Sequence, residues 1–270
     1  MQTRHPHYGR WFDLALAGPL LLYLLMLLGL ILSLFLSISW RDVATAFRDA
    51  DLLYSIRLSL ITTTASTLLS VAVAVPAGYV LSRCRLPGMA VLDTVLDLPI
   101  VLPPLVLGLC VLIFFSTGPG RWLDRGLAPE GLFIYQPLGI VLVQFIVGCA
   151  FAVRVIKSGF DGLDPRYEEV AMTLGAGRAQ CFLKVVLPNV MPALVAGLVV
   201  SWARIFGLFG PILLVAGTMR RRTEIMPTTI FLESSIGRIE VALVIGGCMI
   251  LISMAALIVF KRLGGRGCPW

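Results

Sequence analysis

Residues 158–189 read SGFDGLDPRYEEVAMTLGAGRAQCFLKVVLPN. This polar interval lies between two long apolar runs, and its own pattern is helical. Asp164-Pro165 is a helix start, with Asp as cap and Pro at the first helical position. Glu168 and Glu169 follow in the first turn, where the helix dipole favours anions. Ala171, Met172 and Leu174 give a short apolar face, and Gly175-Ala176-Gly177 breaks it. A second helical stretch, 179–186, ends at Pro188. The spacing predicts a short helix, a glycine turn and another short helix joined directly to the next apolar run. Such an element is rigid and small-sided at its turn, which suits docking to a partner.

The surroundings explain why a polar helical pair stands out. The chain has 270 residues, of which 58% are hydrophobic and only 14% charged; its mean hydropathy is +0.93. Soluble domains average about 45–50% apolar and about 25% charged. A soluble protein, a disordered chain, a collagen and a disulfide-stapled secreted scaffold are all excluded. About 20 apolar residues of helix cross a bilayer core. Six stretches are long enough: 14–38, 58–81, 95–115, 132–155, 190–216 and 241–260. In lipid the backbone must bond to itself, so the expectation is an all-α polytopic membrane protein with about six transmembrane helices and a cytosolic helix–turn–helix between spans 4 and 5. The first stretch is too long for a signal-peptide core and no A-x-A site follows it, so it reads as a retained span.

The net charge is +7. No basic run is interleaved with aromatics, so the arginines and lysines read as loop residues flanking spans, and nucleic acid is not an expected partner. Slightly more of them fall on the side of the N-terminus, although Arg220-Arg221-Arg222 runs against that bias. None of the six cysteines falls in a loop assigned to the outside. Both cues place the N- and C-termini in the cytosol. This divides the chain into a tail over 1–13, a membrane domain over 14–260 with the helical pair at about 164–188, and a tail over 261–270. No cysteine pair has C-x-x-C spacing, and the only histidines are His5 and His7 in the first tail. No metal site, no cofactor and no catalytic residues are expected.

The helical pair resembles a known motif. Glu169-Val170-Ala171, three residues, Gly175, nine residues, Val185, one residue, Leu187-Pro188 is similar to the coupling-helix signature of bacterial ABC importer permeases. That signature reads Glu-Ala-Ala, Gly and Ile-x-Leu-Pro at the same spacing. Leu98-Pro99-Ile100-Val101-Leu102-Pro103-Pro104 resembles the proline-rich third-span entry of the sulfate and molybdate permeases. Ser201-Trp202-Ala203-Arg204-Ile205-Phe206-Gly207-Leu208-Phe209-Gly210 resembles their fifth span, commonly Ala-Arg-x-Leu-Gly-Glu-Phe-Gly, with Leu208 where they carry Glu. The resemblance covers most of 50–260. It implies a bacterial inner-membrane permease that pairs with a second permease subunit, as a homodimer or heterodimer. It also implies cytosolic ABC ATPase subunits, an extracytoplasmic solute-binding protein and surrounding membrane lipid. Nothing fits G-x-x-x-x-G-K-[ST], so ATP hydrolysis would fall to a separate subunit and this chain would not be an enzyme.

Within that frame Glu168, Glu169, Ala171, Gly175, Leu187 and Pro188 are the expected ATPase-coupling residues; the alternative is an interfacial helix without a partner. Pro99, Pro103 and Pro104 remove backbone donors near or within the third span and should kink or unwind it, either as a pathway-lining or gating segment or as an ordinary proline kink. Arg204 is a charge near the middle of the fifth span. It suits either an oxyanion in a watery cavity or a structural ion pair, for which Asp97 is one partner. Gly207 and Gly210 would loosen the same helix for a gate or for close packing. Thr62, Thr63, Thr64, Ser66, Thr67 and Ser70 suit hydrogen bonds between helices before pore lining. Arg220 to Arg222 read as a solvated run, or as a face for a binding protein or anions. The expected cargo is an inorganic oxyanion of the molybdate, tungstate or sulfate class, with ferric iron, phosphonate and organic solutes open. The main rival reading is a stand-alone channel or secondary transporter not coupled to ATP; those often show inverted repeats, and no convincing repeat is evident here. A second rival is a non-transporting membrane anchor subunit, against which Arg204 and the proline-broken third span speak.

Overall fold

The computed structural model describes residues 10–84, 87–126 and 131–263. His5, His7 and Cys268 lie outside the described residues, as does most of both tails. Every regular element among the described residues is helical. Helix α1 (Arg10–Leu36) contains the leucine-rich first span, and the side chains from Leu20 to Leu32 are largely exposed. A short helix, α2 (Trp40–Ala46), follows. Its start is a reciprocal cap, in which Ser39 and Asp42 satisfy each other's backbone donors. Helix α3 (Ala50–Arg83) begins before its apolar run and has 34 residues, about 51 Å at 1.5 Å per residue.

The third expected span is broken at its prolines. Residues 95–115 are not one helix. Helices α4 (Met89–Val101) and α5 (Pro104–Ser116) meet at 111°. Pro103 and Pro104 have no N–H to continue the ladder, and the residue before a proline is pushed to extended backbone. Leu102 sits there, with φ −63° and ψ 138°. Helix α6 (Gly118–Arg125) leads into a turn held by the buried Asp124, whose Oδ1 accepts from the backbone N–H groups of Leu132, Phe133 and Ile134. The fourth span, α7 (Pro137–Asp161), starts later than the expected 132 because those donors are engaged in the turn.

Next come α8 (Arg166–Thr173) and α9 (Arg178–Cys181), a π-helical turn (Phe182–Val186), and α10 (Leu187–Asn189). Helix α11 (Met191–Phe206) is bent 67° from Arg178–Asn189, stops at Gly207, and is followed by α12 (Gly210–Ala216). The fifth span is therefore interrupted where Gly207 and Gly210 stand. Helices α13 (Met226–Ser235) and α14 (Ile239–Leu263) follow. Among the described residues, four helices are long and apolar enough to cross a membrane, or up to six if each bent pair is one span.

Helices α3, α7 and α11 form the centre, and the threonine–serine run of α3 is their seam. Ser66 Oγ donates to Val141 O at 3.1 Å and lies 3.2 Å from Gln144 Oε1. Gln144 Nε2 reaches Thr63 Oγ1 at 3.3 Å, and Trp202 Nε1 donates to Thr64 Oγ1 at 3.5 Å. Thr62 and Thr67 bond to carbonyls of their own helix. Gly148 admits this approach. A Cβ there would lie 2.9 Å from Ser70 Oγ and 3.0 Å from Ser201 Oγ. Three apolar clusters surround the seam. One joins α5, α7 and α12; one joins α3, α7 and the 160–190 segment; one joins α2, α3, α11, α13 and α14.

Candidate functional site

Two sites emerge, at different places on the bundle. The first is the helical pair. Asp164 caps α8 as its sequence suggests, its Oδ1 accepting from Arg166 N at 3.0 Å, although the helix begins at Arg166 rather than Pro165. The glycine turn forms at Gly175, whose φ of +88° is left-handed backbone that glycine adopts without cost. A Cβ at Gly175 would meet nothing within 4 Å, so its backbone conformation alone requires glycine. The second helical stretch widens into the π turn, where the Leu187 N–H bonds to Phe182 O, five residues back. Pro188 lacks an N–H, and its ring would press on the carbonyl four residues earlier; a wider turn relieves both defects.

Glu168 and Glu169 separate in space. Glu168 turns inward: Arg83 Nε lies 2.7 Å from its Oε1, and the Tyr79 hydroxyl donates to its Oε2 at 2.8 Å. Arg83 also reaches Leu163 O at 2.8 Å. The last turn of α3 is thereby bonded to the first turn of α8. Glu169 points away, exposed. Ala171 is buried, Leu187 is half-buried and Pro188 is exposed. An open groove of about 530 Å³ is lined by Tyr167, Val170, Ala171, Leu174 and Val185. Leu174 is 83% exposed, an unusual apolar surface for a polar end of a bundle.

The second site lies at the break between α4 and α5. Pro99, Pro103 and Pro104 line one cavity of about 330 Å³ together with Phe151, Arg204 and Leu208. Residues separated by a hundred positions in sequence thus share a wall. Gly207 ends α11 beside this cavity, and Gly210 lies against Leu105, 3.3 Å from where its Cβ would be. Asp97 does not pair with Arg204. It lies 3.3 Å from Arg154 Nη1, while Asp93 takes Lys157 at 2.9 Å. Arg204 instead lies over the ring of Phe151, 5.0 Å from its centroid. Its guanidinium is exposed toward the cavity, without a carboxylate among the described residues.

Sequence reasoning missed a third cluster at the far end of α3. Arg220 and Arg221 are not a free solvated run. Both pair with Asp51, and Arg220 also takes Glu233 at 2.8 Å. Tyr54 donates to Arg222 O, so the 217–225 loop is fastened to the start of α3. Glu224 is buried at 1% exposure beside this network. Burial pushes its carboxyl above the usual range, while Thr229 and Arg220 oppose that shift. The only trace in the sequence was the alternation of acids and arginines between 220 and 238.

Known proteins agree with this architecture. Residues 74–266 match the family described as binding-protein-dependent transport system inner membrane component. The chain is 33% identical to the sulfate transport system permease protein CysT of Escherichia coli K12, covering 82% of this chain and 81% of that one. It is 34% identical to the molybdate/tungstate transport system permease protein WtpB of Pyrococcus furiosus, covering 81% of each. Among solved structures, a bacterial alginate ABC transporter in complex with its alginate-bound periplasmic protein superposes with a TM-score of 0.76 at 18% identity, over 95% of this chain and 94% of that one. The chain is a member of the binding-protein-dependent permease family, a multi-pass component of the inner membrane.

Proposed function

We propose that the chain is the pore subunit of an ATP-driven importer of an inorganic oxyanion of the molybdate, tungstate or sulfate class. Arg204 carries this reading. Among the described residues its guanidinium has no carboxylate partner, and it stands in a cavity at the break between α4 and α5, where backbone groups are left without helical partners. Its planar fork matches tetrahedral oxyanions. Leu208 lines the same cavity, so no acid stands one turn away to neutralise the arginine. Sulfate and molybdate/tungstate permeases among the relatives support this cargo.

In this reading two copies of the chain face each other, their termini in the cytosol. The 164–188 element receives a separate ABC ATPase, with Glu169, Gly175 and the Tyr167–Leu174 groove on the docking face. Leu187 and Pro188 carry its motion into α11. Closure of the ATPases moves the element, Glu168 and Arg83 pass the movement to α3, and the spans reopen toward a binding protein that delivers the anion. The test is uptake of radiolabelled molybdate and sulfate into proteoliposomes holding the purified importer and its binding protein. Arg204→Ala is expected to lower uptake by about tenfold to a hundredfold, the effect of removing a charged hydrogen bond. Unchanged uptake of both anions would remove Arg204 from the path.

A further inference from the structure

A groove of about 370 Å³ opens between the end of α1, the short helix α2 and α14. Its walls include Phe35, Trp40, Val43, Phe47 and Leu251. It lies where the very apolar span Ala17–Leu36 comes to an end against the first half of Ile239–Phe260. Trp40 stands 89% exposed at its edge, as an indole at a membrane–water boundary would.

Trp40, Val43 and Phe47 line the groove, and Arg41 and Arg48 each follow one of these residues in the chain, Arg41 on α2 and Arg48 in the turn just after it. The neighbouring acids are already engaged. Asp42 Oδ2 accepts from Ser39 N at 3.1 Å, Asp49 Oδ1 accepts from Asp51 N at 2.9 Å, and Asp51 itself holds Arg220 and Arg221. Arg41 and Arg48 are exposed and pair with no carboxylate among the described residues. An apolar slot at a span end with two unpaired cations beside it matches one molecule well. An acyl chain fills the slot, and a phosphate accepts forked hydrogen bonds from guanidinium. A protein partner would have to supply both an apolar ridge and acids.

We propose that this groove holds an anionic phospholipid, one acyl chain among Phe35, Val43 and Leu251 and its phosphate on Arg41 and Arg48. The site is separate from the Arg204 cavity and does not depend on the cargo. The test uses the assembled transporter in phosphatidylcholine nanodiscs doped with phosphatidylglycerol, followed by extraction and native mass spectrometry of the lipid that stays bound. The wild type is expected to retain phosphatidylglycerol in preference to phosphatidylcholine. Each arginine near the surface is worth about fivefold, so R41A/R48A should lower the preference about 25-fold. Both side chains are exposed, so that variant should melt like the wild type. Val43→Trp, which fills the slot, should reduce retention of both lipids. Equal retention of the two lipids by the wild type, or an unchanged preference in R41A/R48A, would overturn the proposal. So would a disulfide formed between copies carrying Leu251→Cys with no lipid retained, because a second copy would then occupy the groove.

Discussion

Glu168 and Glu169 are neighbours that face opposite ways, and single substitutions should separate the tasks proposed for them. Glu168→Ala leaves Arg83 and the Tyr79 hydroxyl without their acceptor inside a nearly closed contact, a loss of about 2 kcal/mol. It should lower the melting temperature in detergent and also weaken ATPase retention in pull-downs. Glu169→Lys should melt like the wild type and lose the ATPase alone; equal retention would exclude Glu169 from the docking face. Glu224 gives a prediction in pH. Its carboxyl titrates above the unfolded value of about 4.3, so the folded chain holds the proton more tightly than the unfolded one. Stability from this group is full at acid pH and is lost as pH rises from the unfolded value through the raised one. Glu224→Gln should therefore flatten the pH dependence of the melting temperature in that window and raise it at neutral pH. A pH profile identical to wild type would show that Glu224 ionises freely. Which of two adjacent glutamates faces inward was not legible in the sequence. Residues one apart differ by about a third of a helical turn, and only the position of Arg83 selects between them.

The helical pair between spans was legible because its signals are local. Asp164 caps, Gly175 turns and Pro188 stops, and each acts through the backbone of its own neighbourhood. Gly175→Ala must place a Cβ on left-handed backbone and should cost about 1–2 kcal/mol with no steric contribution, measurable as a lower melting temperature. Gly148 offers the converse case. Gly148→Ala should destabilise by about 1–3 kcal/mol through overpacking against two hydroxyls, and adding Ser201→Ala should recover part of the loss. No recovery would show that the backbone approach itself, not the hydroxyl, sets the limit. The third span was legible only in part. Three prolines announce a break, but they do not state its angle. The angle follows from where each half finds its apolar partner. Helix α4 lies on α7 through Asp93, Asp97, Arg154 and Lys157, whereas α5 packs on α12. Those are long-range contacts that no local pattern records.

At the scale of the whole molecule the chain places three clusters along one long helix. Asp51 and the 217–225 loop lie at the start of α3, the hydroxyl seam lies along it, and Arg83 with Glu168 lies at its end. The 164–188 helical pair and the fastened loop are thus at opposite ends of the bundle, an arrangement that suits the partners proposed on the two sides of a membrane. The family membership rested on spacing that a reader of the sequence can see, whereas the shared wall of Pro99, Pro103, Pro104 and Arg204 could only come from folding.

The corner between α4 and α5 has a mechanical consequence. Backbone hydrogen bonds normally resist bending, because a turn of helix must be broken before its two ends can swing apart. At Pro103 and Pro104 there is no donor to break, because the helical ladder has already stopped on either side. One arm of the corner is riveted by charge to α7 and the other travels with α12. The corner is therefore mechanically closer to a door hinge than to a stiff rod. Any change in the angle of its arms would cost side-chain contacts alone, and would widen or narrow the cavity in the crook, with Arg204 on its wall.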